Sequence, residues 1–176
     1  DVSLRERVAE VWDGAMRAGN AGRGWSIEQV RALPFTLLAG ENGLGFIAHL
    51  NSCARQCRAI AGVLADEFGG RVPVDTDVLI AGALLADVGK LLEFELDARG
   101  RVVQGQTGKL LRHPFTGVAI CHAHALPASV LHIVAAHSHE GDRVERSIEC
   151  IIFHHADFVD FDIAKLLGKR AGVPTP

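Results

Sequence analysis

The chain has 176 residues, 48% of them apolar, and a formal net charge of −3. That length fits one domain with a core of useful size, and the apolar content excludes a disordered chain. The weak negative charge gives no general attraction to a polyanion, and no basic run offers a local patch, so a nucleic acid polymer is not an expected partner.

No uninterrupted apolar segment of about 18 residues occurs, and the start DVSLRERVAEVW is amphipathic rather than a signal sequence, so no membrane partner is expected either. Cys53, Cys57, Cys121 and Cys150 lack the paired spacing of a zinc knuckle and the density of a disulfide scaffold. They read as free thiols in a reducing compartment, the cytoplasm. Residue 1 is Asp rather than Met, which fits a start inside a longer or processed protein.

Ser3 with Glu6 reads as a capping box, and Leu4, Val8, Val11, Trp12 and Ala15 recur at helical spacing until Gly19. GNAGRG is a linker, since no strand precedes it and no GK[ST] follows. Ser26 with Gln29 caps a second short helix, interrupted by Pro34 and finished near Gly40. From about Asn42 to Phe68 a long helical pattern places His49, Cys53, Cys57 and Ile60 on one inward stripe, the cysteines as packing. Asp75 or Thr76 caps the next helix, whose Ile80, Ala83, Leu84 and Asp87 share a face.

Residues 97–108 lack a helical period and read as a loop or small hairpin. His113 before Pro114 sits at the first turn of a helix ending around Leu126, and Pro127 opens another. In that helix Val130, Ile133 and Val134 form an apolar stripe closed by His137. A last helix, from about Val144 to Leu167, stacks Cys150, Phe153, His154, Asp157, Phe161 and Ala164. The expected fold is all-α, a compact bundle of about seven helices, with residues 1–40 as an N-terminal extension and 45–162 as the core of the site.

Separate segments thus bring His49, Asp87, His113 or His137, and Asp157 toward one interior. Two interior carboxylates would each cost several kcal/mol unpaired, and no interior Lys or Arg offers to neutralise both. Mixed imidazole and carboxylate donors suit Mn, Fe, Co, Ni or Zn, one or two ions; Ca would ask for more oxygens. The aromatic content is low, with no Tyr, so few stacking platforms for a nucleotide are expected. His122, His124 and His132 read as surface or rim residues, while reversal at Gly141 brings His139 to the mouth of the site.

LLADVGK resembles the HD superfamily signature, a His-Asp doublet followed by Ile or Val, Gly and Lys. The resemblance runs from about Gly45 to Asp162. It implies metal ligands at His49, Asp87, His113, His137 and Asp157, with Asp87 bridging. The doublet histidine is replaced by Ala86, which puts in doubt the site shared with His49 and Asp157. Three explanations stand: a natural branch with one metal or none of the activity, a substitution made to trap a substrate, or a bond supplied by His154 or His155.

The implied activity is metal-assisted hydrolysis of a small phosphorylated metabolite or nucleotide, with Asp87 and Lys90 as the catalytic residues. Lys90 fits both a phosphate contact and a solvated last-turn lysine. Arg112 and Arg143 are further candidates for binding an anionic substrate, or surface residues. The alternatives are a non-catalytic sensor or regulatory domain, for which Ala86 argues, and a non-haem di-iron oxygenase with the same ligands.

Overall fold

The computed structural model describes residues 1–38 and 43–172. Helix α1 (Val2–Ala18) is capped by Asp1, whose side chain accepts from the Leu4 amide; Ser3 lies inside the helix. Asp1 displaces the expected Ser3 because it stands two residues earlier and its carboxylate already caps the Leu4 amide, so the helix starts before Ser3. Helix α2 (Ile27–Ala32) starts at Ser26 with the expected reciprocal Ser26–Gln29 box and ends before Pro34. The expected finish near Gly40, and the expected start of the next helix at Asn42, lie outside the described residues. Helix α3 (Phe46–Phe68) buries His49, Cys53 and Cys57 as the spacing predicts, and ends at Gly69.

The centre of the molecule is α4 (Thr76–Leu85), capped by Asp75 and buried at Leu79, Ala81, Gly82, Ala83 and Leu85. A helix apolar on every side belongs between others rather than on a surface, and α4 packs against α1, α3, α8 (Ala128–Ala136) and α9 (Ile148–Arg170). Asp87 is therefore not on a helical face, as the spacing had suggested. The helix stops at Leu85, and residues 86–89 form a turn. Its amides bond three residues back, Val88 to Leu85 at 3.0 Å and Lys90 to Asp87 at 2.9 Å, the tighter 3₁₀ pattern of a helix end.

A short helix α5 (Lys90–Glu93) follows, then an antiparallel hairpin of β1 (Phe94–Leu96) and β2 (Val102–Gln104). The hairpin fits the reading of residues 97–108, but α6 (Gln106–Leu110) was hidden by its brevity. Helix α7 (His113–Ala123) carries Pro114 in its first turn. The last helix begins at Ser147, whose side chain accepts from the Cys150 amide. Leu4, Val8, Val11 and Ala15 of α1 share one core with Phe46, Leu85 and Val88, so the N-terminal segment helps to close the bundle. A second core gathers Cys53, Cys57, Leu79, Ala83, Ala86, Ile133 and Phe153. No helix among the described residues is long and apolar enough to cross a membrane, and the four cysteines are buried and unpaired.

Candidate metal centre

Each of the five ligand candidates comes from a different part of the bundle. His49 lies in α3, Asp87 in the turn after α4, His113 at the start of α7, His137 just past α8, and Asp157 in α9. All five are buried. The two oxygens of Asp87 serve different neighbours. Oδ1 is 3.3 Å from His113 Nε2 and 3.8 Å from His137 Nε2. Oδ2 is 3.3 Å from His49 Nε2, which is also 3.1 Å from Asp157 Oδ1. Donors held about 2.1 Å from one ion stand about 3.0–3.4 Å apart, so three of these four separations match the edges of a coordination polyhedron, and the 3.8 Å one is longer. Two groups of three donors result, Asp87 with His113 and His137, and Asp87 with His49 and Asp157.

The imidazoles are set for this by their other nitrogens. Nδ1 of His49 is 3.1 Å from Asp160 Oδ2, Nδ1 of His113 is 3.1 Å from Glu93 Oε2, and Nδ1 of His137 is 3.0 Å from the Val134 carbonyl. Carboxylates and carbonyls only accept, so each Nδ1 carries the proton and donates it. In the neutral rings each Nε2 then holds a lone pair aimed at the common centre. His113 Nε2 and His137 Nε2 stand 3.3 Å apart, and two lone pairs at that distance repel unless a cation or a proton lies between them. The donor set could hold a metal ion on this ground as well as on its imidazole and carboxylate chemistry.

The charges agree. Burial raises the carboxyl of Asp87, but Lys90, His49 and His113 outweigh it and hold Asp87 well below the ordinary range. Burial lowers the His49 imidazole, yet Asp157, Asp160 and Asp87 together raise it strongly. His137 goes the other way, lowered first by burial and then by the charge of His113. His49 is further packed against Phe35, with ring centroids 4.1 Å apart.

The chain matches no protein-family model, no curated protein and no solved structure. The site therefore stands on its own geometry.

That geometry includes a cavity of about 380 Å³ opening over Asp87, His113, His137 and Asp157. Lys90 lines it, its ammonium 2.7 Å from Asp87 Oδ2 and 2.9 Å from the Phe35 carbonyl. An ammonium has three donors, and these two bonds leave one for the cavity. Arg112 lines the rim, half-exposed, with Nε 3.7 Å from Glu140 Oε1. Arg143 is exposed and not among the lining residues.

His139 reaches the mouth as expected and packs edge-on against Phe158. His122 is exposed, His124 faces Glu10 at 3.8 Å, and His132 accepts from the Ser147 amide at 3.1 Å. His154 donates from Nδ1 to the His137 carbonyl at 2.6 Å, and His155 is exposed. Neither imidazole joins the two donor groups.

Two features were missed in the sequence. Glu93 and Asp160 were not singled out, though Asp160 is one helical turn after Asp157 and Glu93 follows Lys90 by three residues. The cavity wall is also more aromatic than the composition suggests: Phe35, Phe94, Phe158 and Phe161 all line it, half of the chain's eight phenylalanines. Composition counts aromatic residues but does not say where the fold gathers them.

Proposed function

We propose that the protein is a metal-dependent hydrolase of the HD superfamily, acting on the phosphate ester of a small metabolite or nucleotide. The observation that carries this reading is Asp87, a buried carboxylate whose two oxygens face two separate groups of imidazole and carboxylate donors. His113 and His137 would hold one ion with Asp87 Oδ1, and His49 and Asp157 a second with Oδ2. A divalent ion there would supply the Lewis acidity that polarises a phosphoryl oxygen and ionises water near neutral pH.

The chain's own residues supply the rest. Lys90 places its ammonium at the cavity floor, where it would bind a phosphate oxygen, and Arg112 adds a second cation at the rim. Asp87, with Lys90 and two imidazoles around it, stays ionised and can orient the attacking water. Phe158 and Phe161 offer an apolar wall to the rest of the substrate.

Ala86 favours a second reading, a sensor or regulatory domain. It is fully buried among Cys53, Cys57, Ala83 and Phe153, and its methyl group leaves the His49–Asp157 group one imidazole short of the family pattern. The two readings separate by metal content and turnover. The protein is expected to bind about one Mn²⁺ or Co²⁺ per chain, and Ala86→His about two, by elemental analysis. Phosphate release from nucleoside monophosphates, sugar phosphates or p-nitrophenyl phosphate should rise in Ala86→His. Metal bound at both sites with no release across that panel would favour the sensor; no metal in either form would remove the hydrolase.

A further inference from the structure

One face of α3 is polar where the core should be apolar. His49, Ser52, Cys53 and Gln56 follow one another at helical spacing, and all four turn toward the carboxylate of Asp160 on α9. Asp160 Oδ1 accepts from Ser52 Oγ at 3.2 Å and from Gln56 Nε2 at 2.9 Å. Oδ2 accepts from His49 Nδ1 at 3.1 Å, with Cys53 Sγ at 3.9 Å. Asp160 is buried, and it does not line the cavity.

His49, Cys53 and Asp160 are close enough to be read as a metal site of their own. The geometry argues otherwise. Cys53 Sγ is 3.6 Å from His49 Nδ1 and 3.7 Å from Nε2. In the ring plane, equal distances of that size would press the sulfur against Cε1, so it sits over the ring face. An ion must lie along a nitrogen lone pair, in the plane, and the Nδ1 direction already leads to Asp160.

We propose that Asp160 is a positioning residue, held by Ser52 and Gln56, that accepts a hydrogen bond from Nδ1–H of His49 and so leaves the Nε2 lone pair for an ion shared with Asp87 and Asp157. The inference rests on the metal reading of that group. Its physical basis is that the two ring nitrogens point in diverging directions and only one can carry the proton when the other ligates. Glu93 does the same for His113, and the Val134 carbonyl does it for His137. Of the three, Asp160 is the one whose own second oxygen is anchored to the helix that carries its histidine. It orients the ligand of the group that Ala86 leaves short.

Asp160→Asn keeps the shape of the side chain and lets its amide donate to Nδ1, which favours the wrong tautomer. Mn²⁺ and Co²⁺ affinities would be measured on chelator-stripped wild-type and Asp160→Asn protein by competition with a chromophoric chelator. Ring ¹⁵N and ¹H NMR of His49 would be recorded on the same metal-free samples. Asp160→Asn is expected to weaken binding about 10- to 100-fold and to lose the hydrogen-bonded Nδ1–H signal.

Unchanged affinity, or a downfield, strongly hydrogen-bonded Nδ1–H signal that survives in Asp160→Asn, would overturn the proposal. If Asp160→Asn does not fold, the Ser52→Ala/Gln56→Ala pair, which touches only the far oxygen, is expected to weaken binding by a smaller factor; no weakening overturns the proposal equally. Wild-type protein that binds neither ion removes the metal reading instead. The ring signal of the metal-free protein then decides Asp160: its presence in wild type and loss in Asp160→Asn upholds the orienting role, and its absence from wild type ends it.

Discussion

Lys90 would compete with a bound ion for the same atom. Its ammonium rests 2.7 Å from Asp87 Oδ2 in a nearly buried position, and a cation beside a ligand lowers that ligand's affinity for a second cation. Lys90→Gln should therefore bind Co²⁺ several-fold more tightly than wild type while raising KM for a phosphate ester about tenfold or more, the loss of one charge-assisted contact. Calorimetric metal titration and steady-state kinetics read the two effects separately. If both affinities fall together, Lys90 is supporting the turn and not meeting the phosphate.

The metal-free protein should also show a stability that depends on pH in both directions. His49 is raised above its unfolded value of about 6.5, so its contribution is fully present below that pH and is lost as pH rises, by up to about 1.4 kcal/mol per unit. His137 is lowered, so the unfolded chain takes up a proton first and stability falls as pH drops below about 6.5. Asp87 adds a further loss below the ordinary carboxylate range. Urea denaturation with chelator present, from pH 5 to 9, should give a maximum near pH 6 to 7. A flat profile on the alkaline side would mean that His49 is not an imidazolium among its carboxylates.

The turn after α4 places Asp87, and Gly89 is what lets it. A Cβ there would fall against the His113 carbonyl oxygen, with Thr116 Oγ1 at 2.7 Å and the Gly117 amide at 2.8 Å, so the turn lies directly on the first turn of α7. Gly89→Ala should cost about 1–3 kcal/mol by overpacking and, because it moves His113 away from Asp87, weaken metal binding at least tenfold. Gly82→Ala is the control. The three atoms nearest its Cβ would all belong to the Ile133 side chain, and it should lose comparable stability with metal affinity kept. Equal metal affinities in the two variants would detach the turn from the site.

This turn also shows where the sequence was readable. The helical stripes of α3, α8 and α9 identified His49, His137 and Asp157, because an amphipathic period marks the buried face. Burial of α4 on every side erases such a period, so the end of the helix at Leu85 and the true setting of Asp87 could not be read from it. Glu93 and Asp160 escaped for a different reason: a carboxylate whose partner is a side chain on another helix carries no local signature. Ser3 was a sound cap signal overtaken by an equally sound one at Asp1.

At the scale of the molecule, the donors tie together elements that otherwise meet mainly through packing, with a few hydrogen bonds such as those of Ser52 and Gln56 to Asp160. Helices α3, α7 and α9, the turn after α4 and the residue closing α8 each give one ligand candidate. In the metal-free protein the same groups place carboxylates and facing imidazole nitrogens within 3.8 Å of one another, with protons doing the work of the ion. Binding to the folded chain alone stabilises it by about 2.7 kcal/mol when the ion is present at a hundredfold excess over Kd. For a chain of this size that corresponds to a rise in Tm of about 5–10 °C.

Thermal melts with Mn²⁺ or Co²⁺ against chelator would measure it, with Ca²⁺ expected to give little shift because three of the five donors are imidazoles. Asp87→Asn keeps the shape of the bridging side chain but removes its charge, and should abolish most of the rise. A full shift in Asp87→Asn would place the ion elsewhere in the chain and separate the buried cluster from the metal.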